Sequence, residues 1–228
     1  MLIMDSKKKQ QNYSTRDYVY EVLKENIISL KLEPGTNISE KEISEMIQVS
    51  RTPVREAFMK LAQEELLEIY PQRGTYVALI DLNHVEDARY IREVLERASV
   101  KEACKSFDRE SLLLLENNLG MQKISVEEKN YSRLFELDEQ FHYTIASGSG
   151  KELIWKTIQQ MNSHLNRFRL LSLAANYNWE LILSQHEEII HAIKEKDEEK
   201  ADRVMGEHLR KMLFEKESLK KEYKRYFK

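Results

Sequence analysis

Apolar residues recur at helical spacing over most of the chain, and the pattern changes character only once. From Tyr18 to Leu30, the residues Val19, Val22, Leu23, Ile27 and Leu30 share one face, and Pro34-Gly35 then breaks the run. Ser39 is placed to cap a short second helix carrying Ile43, Met46 and Ile47. A third helix starts at Ser50 and runs to about Glu64, with Val54, Phe58 and Leu61 as its inward stripe. The Ser50 hydroxyl suits its N-cap, and Pro53 falls in the first turn, where a missing N–H costs little. Two β-like runs follow, Leu66-Leu67-Glu68-Ile69 and Thr75-Tyr76-Val77, around the turn Pro71-Gln72-Arg73-Gly74. Three helices and a two-stranded wing predict a winged helix over residues 1–78.

All three prolines lie in the first third, and none occurs in the 157 residues after Pro71. Nothing there stops long helices, and no period-two run survives. The spacing predicts helices near 82–104, 109–128, 130–147, 151–175, 179–195 and 198–225, with Asp108 as an N-cap, a break at Ser147-Gly148-Ser149-Gly150 and a turn at Asn176-Tyr177-Asn178. The expected fold is therefore mainly α: an N-terminal winged helix-turn-helix at 1–78, a linker at 79–83, and an all-α bundle at 84–228.

On the third helix Arg51 and Arg55 stand four apart, beside each other and off the apolar stripe. Two guanidiniums near the start of an exposed helix suit the major groove, where arginine reads guanine edges and phosphates. Charge shapes this expectation. The chain carries a net charge of −3, and residues 1–80 hold 11 Lys/Arg against 12 Asp/Glu. A DNA face must arise from local clustering of Lys41, Arg51, Arg55 and Arg73, which favours a dimer with few phosphate contacts per half-site. The 41% hydrophobic and 33% charged content is ordinary for a helix-rich domain, and no run is long and apolar enough to span a membrane. Met1-Leu2-Ile3-Met4 is too short for a signal peptide, and the one cysteine, Cys104, excludes an internal disulfide. The expected compartment is the cytoplasm, with Cys104 as a small buried filler.

The bundle carries polar residues where apolar ones belong. Asp138 and His142 share a face with Tyr131, Phe135 and Ile145; His186 sits amid Ile182, Leu183, Ile189, Ile190 and Ile193; His208 sits amid Ala201, Val204, Met205 and Met212. Two readings stay open on these residues. They are satisfied core histidines, or they offer three nitrogens and one oxygen to a divalent metal with positions left for water or ligand. His191 points away from its stripe, His84 sits at the linker, and His164 lies at the edge of an apolar face. Arg92 and Glu96 are one turn apart among the small neighbours Ala88, Ser99 and Ala103, as an intrahelical ion pair or an anion anchor. Nothing in the pattern aims Arg167 or Arg169 inward. Lys216 to Lys228 reads as a solvated, basic helix end.

The runs Leu32-Glu33-Pro34-Gly35, Ser50 to Ala57 and Arg73-Gly74-Thr75-Tyr76-Val77 together resemble the N-terminal domain of GntR-family bacterial transcription regulators. The resemblance implies DNA contacts at Lys41, Ser50, Arg51, Thr52, Arg55, Arg73 and Gly74. Ser29 and Glu65 stand where the family usually has glycine. Asp138-x-x-x-His142, then His186-Glu187-Glu188-Ile189, then Ala201 through His208-Leu209 resembles the FCD domain of the FadR branch. It implies that Asp138, His142, His186 and His208 hold a divalent ion (Zn, Ni, Mn or Fe), and that Arg92, in Arg-x-x-Leu-Glu, anchors a small organic-acid effector. Ser149 stands where the family often has Asn. The implied function is a homodimeric, sequence-specific transcription regulator, with repression relieved by ligand as the default. The alternatives are a regulator with a metal-free, purely structural dimerisation bundle, and a metal-dependent enzyme, for which no further base or nucleophile stands out.

Overall fold

The computed structural model of the chain describes residues 14–175, 179–211 and 216–228. The first helix, α1 (Thr15–Ile28), is capped by the Ser14 side chain, which accepts from the Asp17 backbone N–H. It buries Val19, Val22, Leu23 and Ile27, and stops short of the apolar pattern because Leu30 takes a left-handed backbone with φ 60°. In α2 (Glu40–Ile47) the Ser39 hydroxyl accepts from the Glu42 N–H while the Glu42 carboxylate accepts from Ser39, a capping box. Ile43 and Ile47 face inward, but Met46 is exposed. α3 (Arg51–Gln63) buries Val54, Ala57, Phe58 and Leu61. Ser50 begins it in extended backbone, yet its side chain makes no cap bond, contrary to the sequence expectation.

The wing has three strands rather than two. β1 (Asn37–Ile38), β2 (Leu67–Tyr70) and β3 (Gly74–Val77) run antiparallel in the order β1-β3-β2, with Asn37 and Glu68 both opposite Tyr76. Two residues of β1 are too few to show a period. Gly74 has φ 110°, and a Cβ there would come within 2.8 Å of the Asn37 side-chain nitrogen, so the turn that carries the wing tip requires glycine. Glu65, at φ 56°, holds a left-handed position with a side chain. One core joins α1, α3 and the strand bases through Leu23, Ile27, Phe58, Leu61, Leu66 and Val77.

The second unit is helical: α4 (Leu82–Lys105), α5 (Arg109–Glu127), α6 (Tyr131–Gly148), α7 (Glu152–Met161), α8 (Ser163–Ala174), α9 (Trp179–Glu195) and α10 (Glu198–Arg210). α5 packs on α6, α9 on α5 and α10, and α8 on α6. The Asp108 side chain accepts from Ser111 N at 2.7 Å, as an N-cap should. The helix expected over 151–175 is two, because the chain leaves helical geometry at Asn162 (φ −84°, ψ 4°). No Pro or Gly marks that break; asparagine is simply a weak helix former. The helix expected over 198–225 ends at Arg210, and α11 (Lys216–Glu222) is separate. Asn176-Tyr177-Asn178 and Met212 lie outside the described residues. Cys104 is buried, and burial pushes its thiol up to about 11, which fits an inert filler.

The chain divides into two compact units, one reaching to Leu82 and including Lys220–Lys228, the other spanning Asn83–Leu219. Most of α11 is exposed, as expected of a solvated helix end, but the residues that follow it pair with the linker. Ile80 N donates to Tyr226 O at 2.8 Å, and Lys228 N donates to Ile80 O at 3.1 Å. Tyr226 and Phe227 are buried, and Lys228 pairs with Glu68 at 3.4 Å at the base of β2. The tail therefore completes the N-terminal unit. Phe227→Ala should lower the unfolding free energy by about 3 kcal/mol, the scale of a buried aromatic truncated to alanine. It should also speed amide exchange at Ile80; unchanged exchange there would show that the pairing does not hold the linker.

Candidate metal centre and DNA-reading surface

One turn of α6 sets Asp138 and His142 on the same inward face, α9 brings His186, and α10 brings His208. One ligand atom from each of the four lies within 4.8 Å of the others. His142 Nε2 is 3.2 Å from His208 Nε2 and 3.7 Å from Asp138 Oδ2, and His186 Nε2 is 3.6 Å from Asp138 Oδ1. His142 and His186 are sealed from solvent.

The far nitrogen of each ring explains why the near ones converge. His142 Nδ1 lies against Glu96 Oε2, His186 Nδ1 is 2.8 Å from Gln122 Oε1, and His208 Nδ1 is 3.1 Å from Gln185 Oε1. The sense of the Gln122 contact is fixed by a backbone carbonyl. Asn118 Nδ2 donates to Leu137 O at 3.0 Å, so Asn118 Oδ1 accepts from Gln122 Nε2 at 2.7 Å, and Gln122 Oε1 is left for His186. Oxygens that only accept put the ring proton on Nδ1 and the lone pair on Nε2. Three lone pairs then face one another, and His186 Nε2 is buried with no hydrogen-bond partner. Such an arrangement repels itself unless a cation lies among the nitrogens, so the donor set fits a divalent metal.

The charge states fit as well. Burial disfavours an ionised Asp138, but the Arg169 guanidinium against it outweighs that and holds the carboxyl far below the usual range. Burial also opposes ionisation of Glu96, yet Arg92 and His142 bring it down to about 2. Burial pushes His186 down to about 3 against the pull of Asp138, and lowers His208 in the same way. Carboxylates stay charged and these imidazoles stay neutral, as metal ligands must.

A cavity of about 60 Å³ opens beside this cluster, lined by Asp138 and His208 together with Arg89, Arg92, Arg169 and Ile182. Arg92 is fully buried. Its Nε donates to Glu96, its Nη1 is 3.5 Å from Glu139, and its Nη2 is buried without a hydrogen-bond partner. The structure thus places Arg92 with the four candidate ligands. Arg169, which the sequence pattern left unaimed, binds both Asp138 and Glu139. No sequence signal marks it: α8 mixes polar and apolar residues, and its burial on nearly every side comes from the packing. Arg167 is likewise buried, with Nη2 3.0 Å from His164 Nδ1. His164 is buried rather than at an edge, and its ring centroid is 4.6 Å from that of His84. His191 is exposed and pairs with Glu195 at 3.0 Å. Ser149 accepts no ligand role here; its hydroxyl donates to Ala146 O at 3.0 Å.

In the N-terminal unit Lys41, Ser50, Arg51, Thr52, Arg55, Arg73 and Gly74 are all exposed. Arg51 and Arg55 project from the first two turns of α3, Lys41 from the first turn of α2, and Arg73 from the wing turn. Lys41 lies 4.0 Å from Glu45, a loose surface pair worth little. Ser50 and the first-turn amides of α3 are not engaged by a side-chain cap, and no acidic residue stands in that turn. Such a helix start attracts phosphate.

Residues 15–77 match the family described as bacterial regulatory proteins, gntR family, and residues 87–211 match the FCD domain. The HTH-type transcriptional repressor RspR of Escherichia coli (strain K12) is 36% identical over 194 residues, covering 85% of each chain. The gluconate operon transcriptional repressor of Bacillus licheniformis is 30% identical, covering 77% of this chain and 74% of its own. Among solved structures, E. coli McbR/YncC shares the fold with a TM-score of 0.78 at 21% identity, covering 92% of this chain and 99% of its own. These relatives are transcription regulators and not enzymes, and no described helix is long and apolar enough to cross a membrane. A winged helix with a free reading face, followed by an FCD bundle, makes this chain a DNA-binding transcription regulator of the GntR family.

Proposed function

We propose that this regulator is a homodimeric repressor whose bundle holds a divalent metal through Asp138, His142, His186 and His208, and admits a small carboxylate that alters operator affinity. The observation that carries the reading is the convergence of three imidazole nitrogens and a carboxylate oxygen on one buried point, with a side-chain oxygen beside each Nδ1. A bound Zn, Ni, Mn or Fe ion would supply positive charge and open coordination positions for a carboxylate. The chain's own residues do the rest. Glu96, Gln122 and Gln185 keep the imidazoles in the ligating tautomer, and Arg92 offers its unpartnered Nη2 to the acid. The repressor assignment follows the names of the relatives, and the membership of the FadR branch rests on the Asp-His-His-His order.

DNA recognition is assigned to Arg51 and Arg55 in the major groove, with Ser50 and Thr52 at the helix start on phosphate. Lys41 serves the backbone, and Arg73 with Gly74 serves the wing. A homodimer is supported by an outward apolar face on α5, where Leu114, Met121 and Ile124 are exposed at helical spacing. Two-fold symmetry would then match a near-palindromic operator.

Three measurements test this. Elemental analysis of protein purified without chelator or tag should find near one metal per chain, lost in His208→Ala; no metal after adding Zn²⁺ back would return the histidines to the core. Arg55→Ala should abolish specific retardation of operator DNA with the fold intact, and unchanged retardation would sink the assignment of α3. For metal-free protein, His186 is held at about 3 against an ordinary 6.5, so the unfolded state binds the extra proton first. Stability should therefore fall as pH drops from about 6.5 towards 3, and Glu96 adds a loss of the same sign below its ordinary range. A stability profile flat over that window would mean that the imidazoles are not held neutral.

A further inference from the structure

Behind the cavity, six side chains close into a ring, which His142 and Asp138 complete at 3.7 Å. Arg92 joins Glu96 through Nε, and Glu96 joins His142. On the other side Arg92 Nη1 is 3.5 Å from Glu139 Oε1, which also takes Arg169 Nη1, while Arg169 Nη2 takes Asp138 Oδ2. Both arginines line the cavity, but Glu139 does not; it stands behind them, with its other oxygen accepting from Gln159 Nε2 at 2.8 Å. Glu139 is not among the four clustered candidate ligands. Two guanidiniums thus face three carboxylates, and with neutral imidazoles the ring carries one net negative charge. Glu139 lies against both guanidiniums, as an ionised carboxylate does.

We propose that Glu139 is a specificity-determining residue. Its resident carboxylate occupies the inner sides of both cavity arginines and excludes an incoming carboxylate until a divalent ion is in place. The inference rests on the metal and carboxylate reading given above. Without the ion, a second carboxylate would enter a net negative ring whose arginines are already shared with Glu139. With a divalent ion held by the four ligands, the same ring carries one net positive charge and accepts a single monoanion. Metal and effector then bind in order, and each raises the affinity of the other.

Glu139→Gln keeps the shape of the side chain and removes its charge. Acetate and its neutral analogue acetamide, titrated by calorimetry into full-length protein with and without Zn²⁺, separate charge from shape. Metal-free E139Q should bind acetate about tenfold more tightly than metal-free wild type, with acetamide unchanged. Acetate binding no tighter in the metal-free variant, or an equal gain for acetamide, overturns the inference while leaving the site reading intact if Zn²⁺-loaded wild type binds acetate. No acetate binding to Zn²⁺-loaded wild type overturns both. If the variant fails to fold, wild type decides: Zn²⁺-loaded protein should prefer acetate to acetamide, and metal-free protein should lose that preference. A preference retained without metal overturns the proposal.

Discussion

Three imidazoles face one another inside the FCD bundle with their lone pairs inward, and the surrounding polar structure follows from that. A lone histidine in a core needs one acceptor. Three whose near nitrogens meet at one point need an acceptor on each far nitrogen and positive charge at the centre. The first need recruits Glu96, Gln122 and Gln185, and Gln122 in turn recruits Asn118 and a carbonyl of α6. Asp138 stands at the same point as the fourth candidate ligand, and its own burial calls for Arg169. That guanidinium is shared with Glu139, and Glu139 is shared with Arg92. Around the three imidazoles, Glu96, Gln122, Asn118, Asp138, Arg169, Glu139 and Arg92 thus form one connected network drawn from α4, α5, α6 and α8.

Burial sets how the network behaves. Removing one partner would leave a neighbour charged or unsatisfied at low dielectric, where such a group costs more than its pair contributed. Each ionised pair in the ring is therefore held by its neighbours as much as by its own contact. Charge added at the cavity alters the balance along the whole ring, and this gives one small pocket a route to several helices.

The N-terminal unit is built on a different principle. Its core is apolar, its reading face is set by one exposed helix, and its tightest described ion pair, Lys24 with Glu64 at 2.7 Å, is part-buried between α1 and the end of α3. The tail returns to this unit by backbone pairing with Ile80, with Tyr226 and Phe227 buried. The chain therefore leaves this unit and re-enters it.

Much of this was legible in the residues. The winged helix could be read because its core stripe is local: Val54, Phe58 and Leu61 repeat within one helix, and Gly74 marks a turn that no other residue fits. Asp138, His142, His186, His208 and Arg92 could be picked out because a polar residue at the centre of an apolar stripe breaks a short-range pattern. The residues that escaped depend on contacts between segments. Arg169 and Glu139 look like ordinary surface charges until α8 packs on α6, the break at Asn162 has no Pro or Gly to announce it, and Phe227 pairs with Ile80 from the far side of the whole helical bundle in sequence. Periodicity reports which face of an element is buried; which element it meets, and which charge waits there, is settled only when distant segments come together, since those contacts leave no spacing in the sequence.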